Sequence, residues 1–123
     1  MGLFDIFKKK TIPVVDINAT LQNKEPGAII LDARDMLYFG KGHVPGAISI
    51  PMLVVDQWRN ILPADKNTPL YVYGRDDEEA TRAAGYLSDK KYFAYTNVKN
   101  LGGIGAYTGE KEEGLKPKKE IPF

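Results

Sequence analysis

Residues 28–33, Ala-Ile-Ile-Leu-Asp-Ala, run apolar and β-branched with no polar residue until Asp32. A strand with no polar alternation has no face to show to water, so it belongs inside a parallel sheet covered on both sides. Pro-Leu-Tyr-Val-Tyr at 69–73 has the same character, and shorter strand candidates lie at Thr11–Asp16, Ala47–Ile50 and Val98–Leu101. Between them fall helical patterns. Asn18–Lys24 reads as a short helix with Asn18 as N-cap, and Met52–Ile61 as a helix stopped by Pro63 with Trp58 on its buried side. Asp77–Asp89 reads as a longer helix with Ala80, Ala83, Ala84 and Leu87 as its buried stripe. The stretch between residues 33 and 47 reads as a loop. Alternating strands and helices predict an α/β fold, a central parallel sheet of about five strands flanked by helices on both faces.

The chain has 123 residues, 43% hydrophobic and 27% charged, which suits one core. Three parts are expected: an N-terminal amphipathic segment at 1–10, a domain at 11–109 and a tail at 110–123. Net charge is +1 and no basic stripe with interleaved aromatics occurs, so nucleic-acid binding is not expected. There are no cysteines and one histidine, His43. That excludes disulfides, thiolate nucleophiles and sulfur-ligated zinc, and no cofactor is expected. No apolar run reaches the roughly 18 residues that span a bilayer, and the order of charges at the start is the reverse of a secretory signal, so a cytoplasmic setting is expected. Leu3, Phe4, Ile6 and Phe7 precede Lys8, Lys9 and Lys10. Two readings of that segment stand: a terminus lying on its own domain or remaining loose, and a weak contact with membrane or a partner. The glycines of GGIGAYTG at 102–109 do not make a dinucleotide fingerprint, which would be G-x-G-x-x-G after an early strand.

Two motifs carry a family resemblance. Leu-Asp-Ala-Arg at 31–34, followed by Gly-His-Val-Pro-Gly-Ala at 42–47, resembles the signature of rhodanese-like domains. PLYVY, a loop of six residues, a helix with paired alanines and TNVKNLGG at 96–103 repeat the order of the family's second half. In the active enzymes that the chain resembles, the strand corresponding to PLYVY is followed by a cysteine. Its thiolate takes a sulfane sulfur within a ring of backbone N–H groups. Here Gly74 occupies that position, and Glu79 stands where many members carry arginine. The related phosphatases and arsenate reductases use a cysteine as well. Within the first motif, Asp32 and Arg34 suit a structural role where the strand leaves the sheet, and His43 suits a hydrogen-bonded clamp in its loop.

The loop itself, Gly74-Arg75-Asp76-Asp77-Glu78-Glu79-Ala80, places four acids at a helix start. Free N–H groups there favour an anion by roughly 0.3–1 kcal/mol per interaction near the surface. A thiosulfate dianion about 7 Å from each acid would be opposed by about 0.6 kcal/mol per pair of unit charges even in water, doubled for its double charge. Arg75 and Arg82 offset part of this. The acids therefore act either as caps, with Asp76 as N-cap and Glu79 in capping-box position or with Asp77 as N-cap, or as a rim for a basic peptide or a cation. The expected function is a catalytically inactive rhodanese-like domain that recognises an unknown protein partner, with Gly74, Arg75, Asp76, Asp77, Glu78, Glu79, Ala80 and Arg34 as binding residues. The alternative is an enzyme of another class, with the loop carboxylates holding a divalent metal or acting on a cationic substrate.

Overall fold

The computed structural model describes residues 11–115. The apolar runs become the two central strands: β1 (Ile29–Asp32) lies between β2 (Ile48–Ser49) and β3 (Leu70–Gly74), and β4 (Val98–Gly103) follows β3, all parallel in the order β2-β1-β3-β4. Every residue of β1 and β3 is buried, as an apolar run without alternation requires. Alternate side chains feed two layers. Ile29, Leu31, Leu70 and Val72 point to a core closed by Trp58, Ala83, Ala84, Leu87 and Phe93. Ile30, Tyr71 and Tyr73 point to the opposite core with Ile17, Phe39 and Leu101.

Among the described residues three α-helices cover these faces: α1 (Ile17–Gln22), α2 (Met36–Lys41) and α3 (Asp77–Ser88). The α3 stripe Ala80, Ala83, Ala84 and Leu87 is buried as the spacing predicts. The expected helix over 52–61 is instead a 3-10 segment, Met52–Asn60, interrupted at Val54. It buries Trp58, whose Nε1 donates to the Pro51 carbonyl at 2.9 Å.

Three further differences from the sequence reading have local causes. The sheet has four strands, because the expected strand at 11–16 makes one bridge, Val14 to Asn100. Pro13 offers no N–H to a ladder, and the Asn100 side chain takes the Ile12 carbonyl at 2.9 Å. The helix expected to start at Asn18 is capped two residues earlier by Asp16, whose Oδ1 accepts from Ala19 N–H. Asn18 turns outward to bond the Ala106 carbonyl and Thr108 N–H. The supposed loop after β1 contains α2, capped by Asp35 through Leu37 N–H at 2.8 Å. The start of the tail lies on the domain, where His43 and Glu112 exchange backbone hydrogen bonds at 2.9 and 2.8 Å.

The amphipathic segment 1–10 and residues 116–123 of the tail lie outside the described residues. Among the described residues no helix is long and apolar enough to cross a membrane.

Candidate functional site

Because all four strands are parallel, the connections that leave their C-terminal ends gather at one edge of the sheet. The loop from Gly74 into α3 is the central one, since β3 is an inner strand. Three of its carboxylates each take a different backbone amide. Asp76 is the N-cap, and its Oδ1 accepts from Glu79 N–H at 2.8 Å. Glu79 Oε1 accepts from Arg75 N–H at 2.8 Å, one residue beyond the usual capping-box partner. Asp77 Oδ1 accepts from Gly103 N–H at 2.8 Å and so ties the helix start to the end of β4. Charge-assisted bonds of this kind contribute about 1.5–3 kcal/mol each when well ordered.

The loop closes tightly over Gly74. A Cβ placed there would lie 2.8 Å from Ala80 N, 3.0 Å from Glu79 Cβ and 3.1 Å from Glu79 Cγ. The neighbouring end of β4 makes the same close approach: Gly102 adopts φ +73, and a Cβ on Gly103 would meet Asp76 Cα at 2.8 Å. Gly74 and Ala80 are buried, whereas Arg75, Asp76, Asp77 and Glu78 are exposed and Glu79 is half-buried. Arg75 Nε stands 3.6 Å from Asp76 Oδ2, while Glu78 and Arg82 form no ion pair with each other. Among the described residues no group of three His, Cys, Asp or Glu is placed to hold a metal ion.

Arg34 lies at the same edge but inward. Its Nε donates to both oxygens of Asp32 at 3.1 Å, and Nη2 donates to Asp32 Oδ2 at 2.8 Å and to the Gly42 carbonyl at 2.6 Å. Asp32 and Arg34 are buried, so the pair fastens the end of β1 to the turn before β2. Tyr73, beside them, accepts Val44 N–H on its phenol oxygen at 3.0 Å. Burial, reinforced by the Asp32 carboxylate, pushes that phenol far above the ordinary tyrosine range. His43 is fully buried, stacked on Phe39 at 3.8 Å with Nδ1 2.8 Å from the Phe39 carbonyl, a clamp remote from the loop.

One feature of this edge escaped the sequence reading. Met36, Leu37 and Tyr38 at the start of α2, and Leu53 after β2, are exposed apolar side chains on connections that leave the C-terminal ends of β1 and β2. Leu37 is 74% and Leu53 89% exposed. Three consecutive apolar residues in a stretch with no period were the available signal, and apolar residues held in water at a sheet edge suit contact with another molecule.

Comparison with solved structures places this architecture among known proteins. The rhodanese-like domain of the Alr3790 protein from Anabaena sp. is 28% identical with a TM-score of 0.68, over 90% of this chain and 86% of that one. A rhodanese from E. coli, solved with anions, is 31% identical with a TM-score of 0.60, over 71% of this chain and 99% of that one. The BH2092 protein from Bacillus halodurans is 25% identical with a TM-score of 0.64, over 89% of this chain and 83% of that one. No match is found among curated proteins. The family model for the rhodanese-like domain matches residues 15–110, nearly the whole of the described fold, and the chain therefore belongs to the rhodanese-like family.

Proposed function

We propose that this chain is a non-catalytic member of its family, a recognition module that meets a protein partner through the exposed acids Asp76, Asp77 and Glu78 and the exposed apolar residues of α2. The observation that carries the reading is the state of the loop. Two of its amides, those of Arg75 and Glu79, are held by Glu79 and Asp76, Asp77 ties the helix start to Gly103 N–H, and Gly74 has no room for a nucleophilic side chain. The E. coli relative was solved with anions; an anion at this loop would compete with the carboxylates that hold the Arg75 and Glu79 N–H groups and would face the charge of the neighbouring acids. The partner's chemistry follows from the surface: lysine or arginine to face Glu78 and Asp76, and an apolar side chain to cover Leu37 and Met36. A cytoplasmic setting belongs to the same proposal.

Two measurements test it. The intact chain should show no thiosulfate-to-cyanide sulfur transfer above the blank, and turnover would end the non-catalytic reading. Affinity capture should then compare the parent with the double variant Leu37→Ser and Glu78→Gln, two exposed positions whose side chains make no hydrogen bond in the fold. A specific partner should be recovered by the parent and lost by the variant. Equal recovery of every captured protein would remove this edge as the recognition surface.

A further inference from the structure

The start of the tail crosses the last turn of α2 and the turn that follows it. Gly114 N–H donates to the Gly40 carbonyl at 2.9 Å, His43 and Glu112 hold each other by both backbone bonds, and Glu112 Oε1 accepts Gly46 N–H at 3.0 Å. The contact is close: a Cβ on Gly40 would meet Leu115 Cδ2 at 3.0 Å, and one on Gly42 would meet Lys111 Cδ at 3.4 Å. Residues 111–115 therefore lie as a strap along residues 40–46. Phe39, His43 and Val44, next to these contacts, are buried.

The strap matters to α2 because a six-residue helix does not hold its shape in water unaided. Phe39 is the side chain that α2 buries, and its carbonyl lies 2.8 Å from His43 Nδ1 and accepts Gly42 N–H at 3.2 Å. Past that point the helix end is fastened by Arg34 at the Gly42 carbonyl and by the strap at Gly40, His43 and Gly46. The strap's own hold is light. Glu112 is half-buried and the other residues of 110–115 are exposed, Leu115 to 61%, so closing the strap removes little apolar surface from water. Closing also strands two polar atoms, His43 Nε2 and Glu112 Oε2, which are buried with no hydrogen-bond partner among the described residues and belong to the two residues of one bridge. A stranded buried polar atom costs at least as much as a made bond gains, so the strap's bonds are largely offset. Segments with so few apolar contacts open while the rest of a fold stays closed.

We propose that residues 110–115 are a clasp that opens and closes on α2, coupling the start of the tail to the display of Met36, Leu37 and Tyr38. The proposal rests on the reading of those exposed side chains as part of a recognition surface. Coupling between two sites runs both ways. A partner that draws the tail off leaves α2 loose, and a partner seated on α2 keeps the clasp shut.

Amide hydrogen exchange of the full chain, followed residue by residue by NMR, reads the clasp without any partner. The amides of His43 and Gly46, which donate to Glu112, and those of Tyr38 and Phe39, which donate to the Asp35 carbonyl, should exchange together and at least about tenfold faster than those of β1 and β3. Gly114→Pro removes the N–H held by the Gly40 carbonyl and cannot take φ +106, so it should speed all four by about tenfold more and leave the strands unchanged. Gly40→Cys with Leu115→Cys puts two thiols where Leu115 Cγ lies 3.8 Å from a Cβ on Gly40, on a chain with no other cysteine. Oxidation should slow the four amides by about tenfold, and dithiothreitol should restore them. Four amides that exchange with the strands in one global opening, exchange unchanged by Gly114→Pro, or α2 amides indifferent to the disulfide would each overturn the proposal. None of these results depends on capture through Leu37 and Glu78, so failure of the recognition reading is told apart from failure of the clasp.

Discussion

Placing a cysteine at residue 74 tests whether only one atom separates this chain from its catalytic relatives. Gly74 lies in β3 with negative φ, so backbone strain is not the obstacle; space is. The new Cβ would sit 2.8 Å from Ala80 N, a distance that real Cβ atoms do not tolerate, and 3.0–3.1 Å from Glu79 Cβ and Cγ. Glu79 can give way, but Ala80 N is helix backbone, bonded at 3.1 Å to the Asp76 carbonyl. The start of α3 must therefore move outward, and overpacking of this kind costs about 1–3 kcal/mol. For a domain of this size that lowers the melting temperature by roughly 4–12 °C.

The thiol would also be a poor one. A thiolate about 4 Å from the Glu79 carboxylate is opposed by about 1 kcal/mol in water and more in a half-buried loop, which raises its pKa. The Arg75 N–H that should cradle a persulfide is already donated to Glu79. Thermal melts by circular dichroism, thiosulfate-to-cyanide turnover and intact-mass detection of a persulfide are the assays. Gly74→Cys should melt lower, turn over no faster than the blank and carry no added sulfur. Glu79→Ala in the same chain keeps the Cβ contact and removes the Cγ one and the nearby carboxylate, so it should recover a small part of the melting temperature. A Gly74→Cys protein that melts with the parent and transfers sulfur would refute the reasoning, because the loop would then be open in solution.

Arg34→Ala leaves the Asp32 carboxylate buried without its partner, and urea denaturation should show a loss of about 3–5 kcal/mol, the range for breaking a buried pair from one side. Tyr73 has a folded-state pKa raised above its unfolded value, so its protonated form is favoured in the fold; its contribution is complete below about pH 10 and falls as pH rises beyond that. Stability from urea titrations should stay level from pH 7 to 9 and then drop by up to about 1.4 kcal/mol per pH unit from this residue. Tyr73→Phe should lose about 1–3 kcal/mol at neutral pH by stranding the Val44 N–H, yet show a shallower alkaline decline. Gly85→Ala should raise stability by about 0.5–1 kcal/mol, read as a higher urea midpoint with unchanged slope, since the added methyl meets nothing.

What the sequence disclosed was what neighbouring residues decide. The runs at 28–33 and 69–73 have no face to offer water, and both became inner strands. Asp76 lies three residues before the amide it caps, and that cap is local enough to read directly. Asp32 and Arg34 are two apart, and their pairing follows from the strand end. Features set by distant residues were hidden. Asn100 replaces a strand ladder with one side chain bonded to Ile12, 88 positions away, so the first strand shrank to a bridge. The α2 helix was missed because it turns Met36, Leu37 and Tyr38 outward, against the periodicity that reveals helices. Tyr92, Phe93 and Tyr95 fall outside any helix or strand pattern, so no local period tells which of the three is buried. Phe93 stacks on Trp58 at 5.6 Å and the Tyr95 hydroxyl donates to the Pro63 carbonyl, which puts both in the core and leaves Tyr92 outside, edge-on to Tyr86.

The glycine at 74 and the acids that follow it are one feature rather than two. Backbone N–H groups at a strand-to-helix turn need acceptors, and in the relatives that this loop resembles a sulfur anion is expected to serve. With no thiol on the chain, carboxylates supplied from the loop itself take two of them, Asp76 holding Glu79 N–H and Glu79 holding Arg75 N–H, while Asp77 holds Gly103 N–H at the end of β4. To reach Arg75 N–H, Glu79 must fold its Cβ and Cγ down over residue 74, to within 3.0 and 3.1 Å of any side chain there. That approach is possible only above a glycine. The acids thus exclude a side chain at 74, and the glycine permits the acids to close. Each makes the reversal of the other unfavourable, so regaining a nucleophile requires opening the loop and refilling position 74 in the same protein.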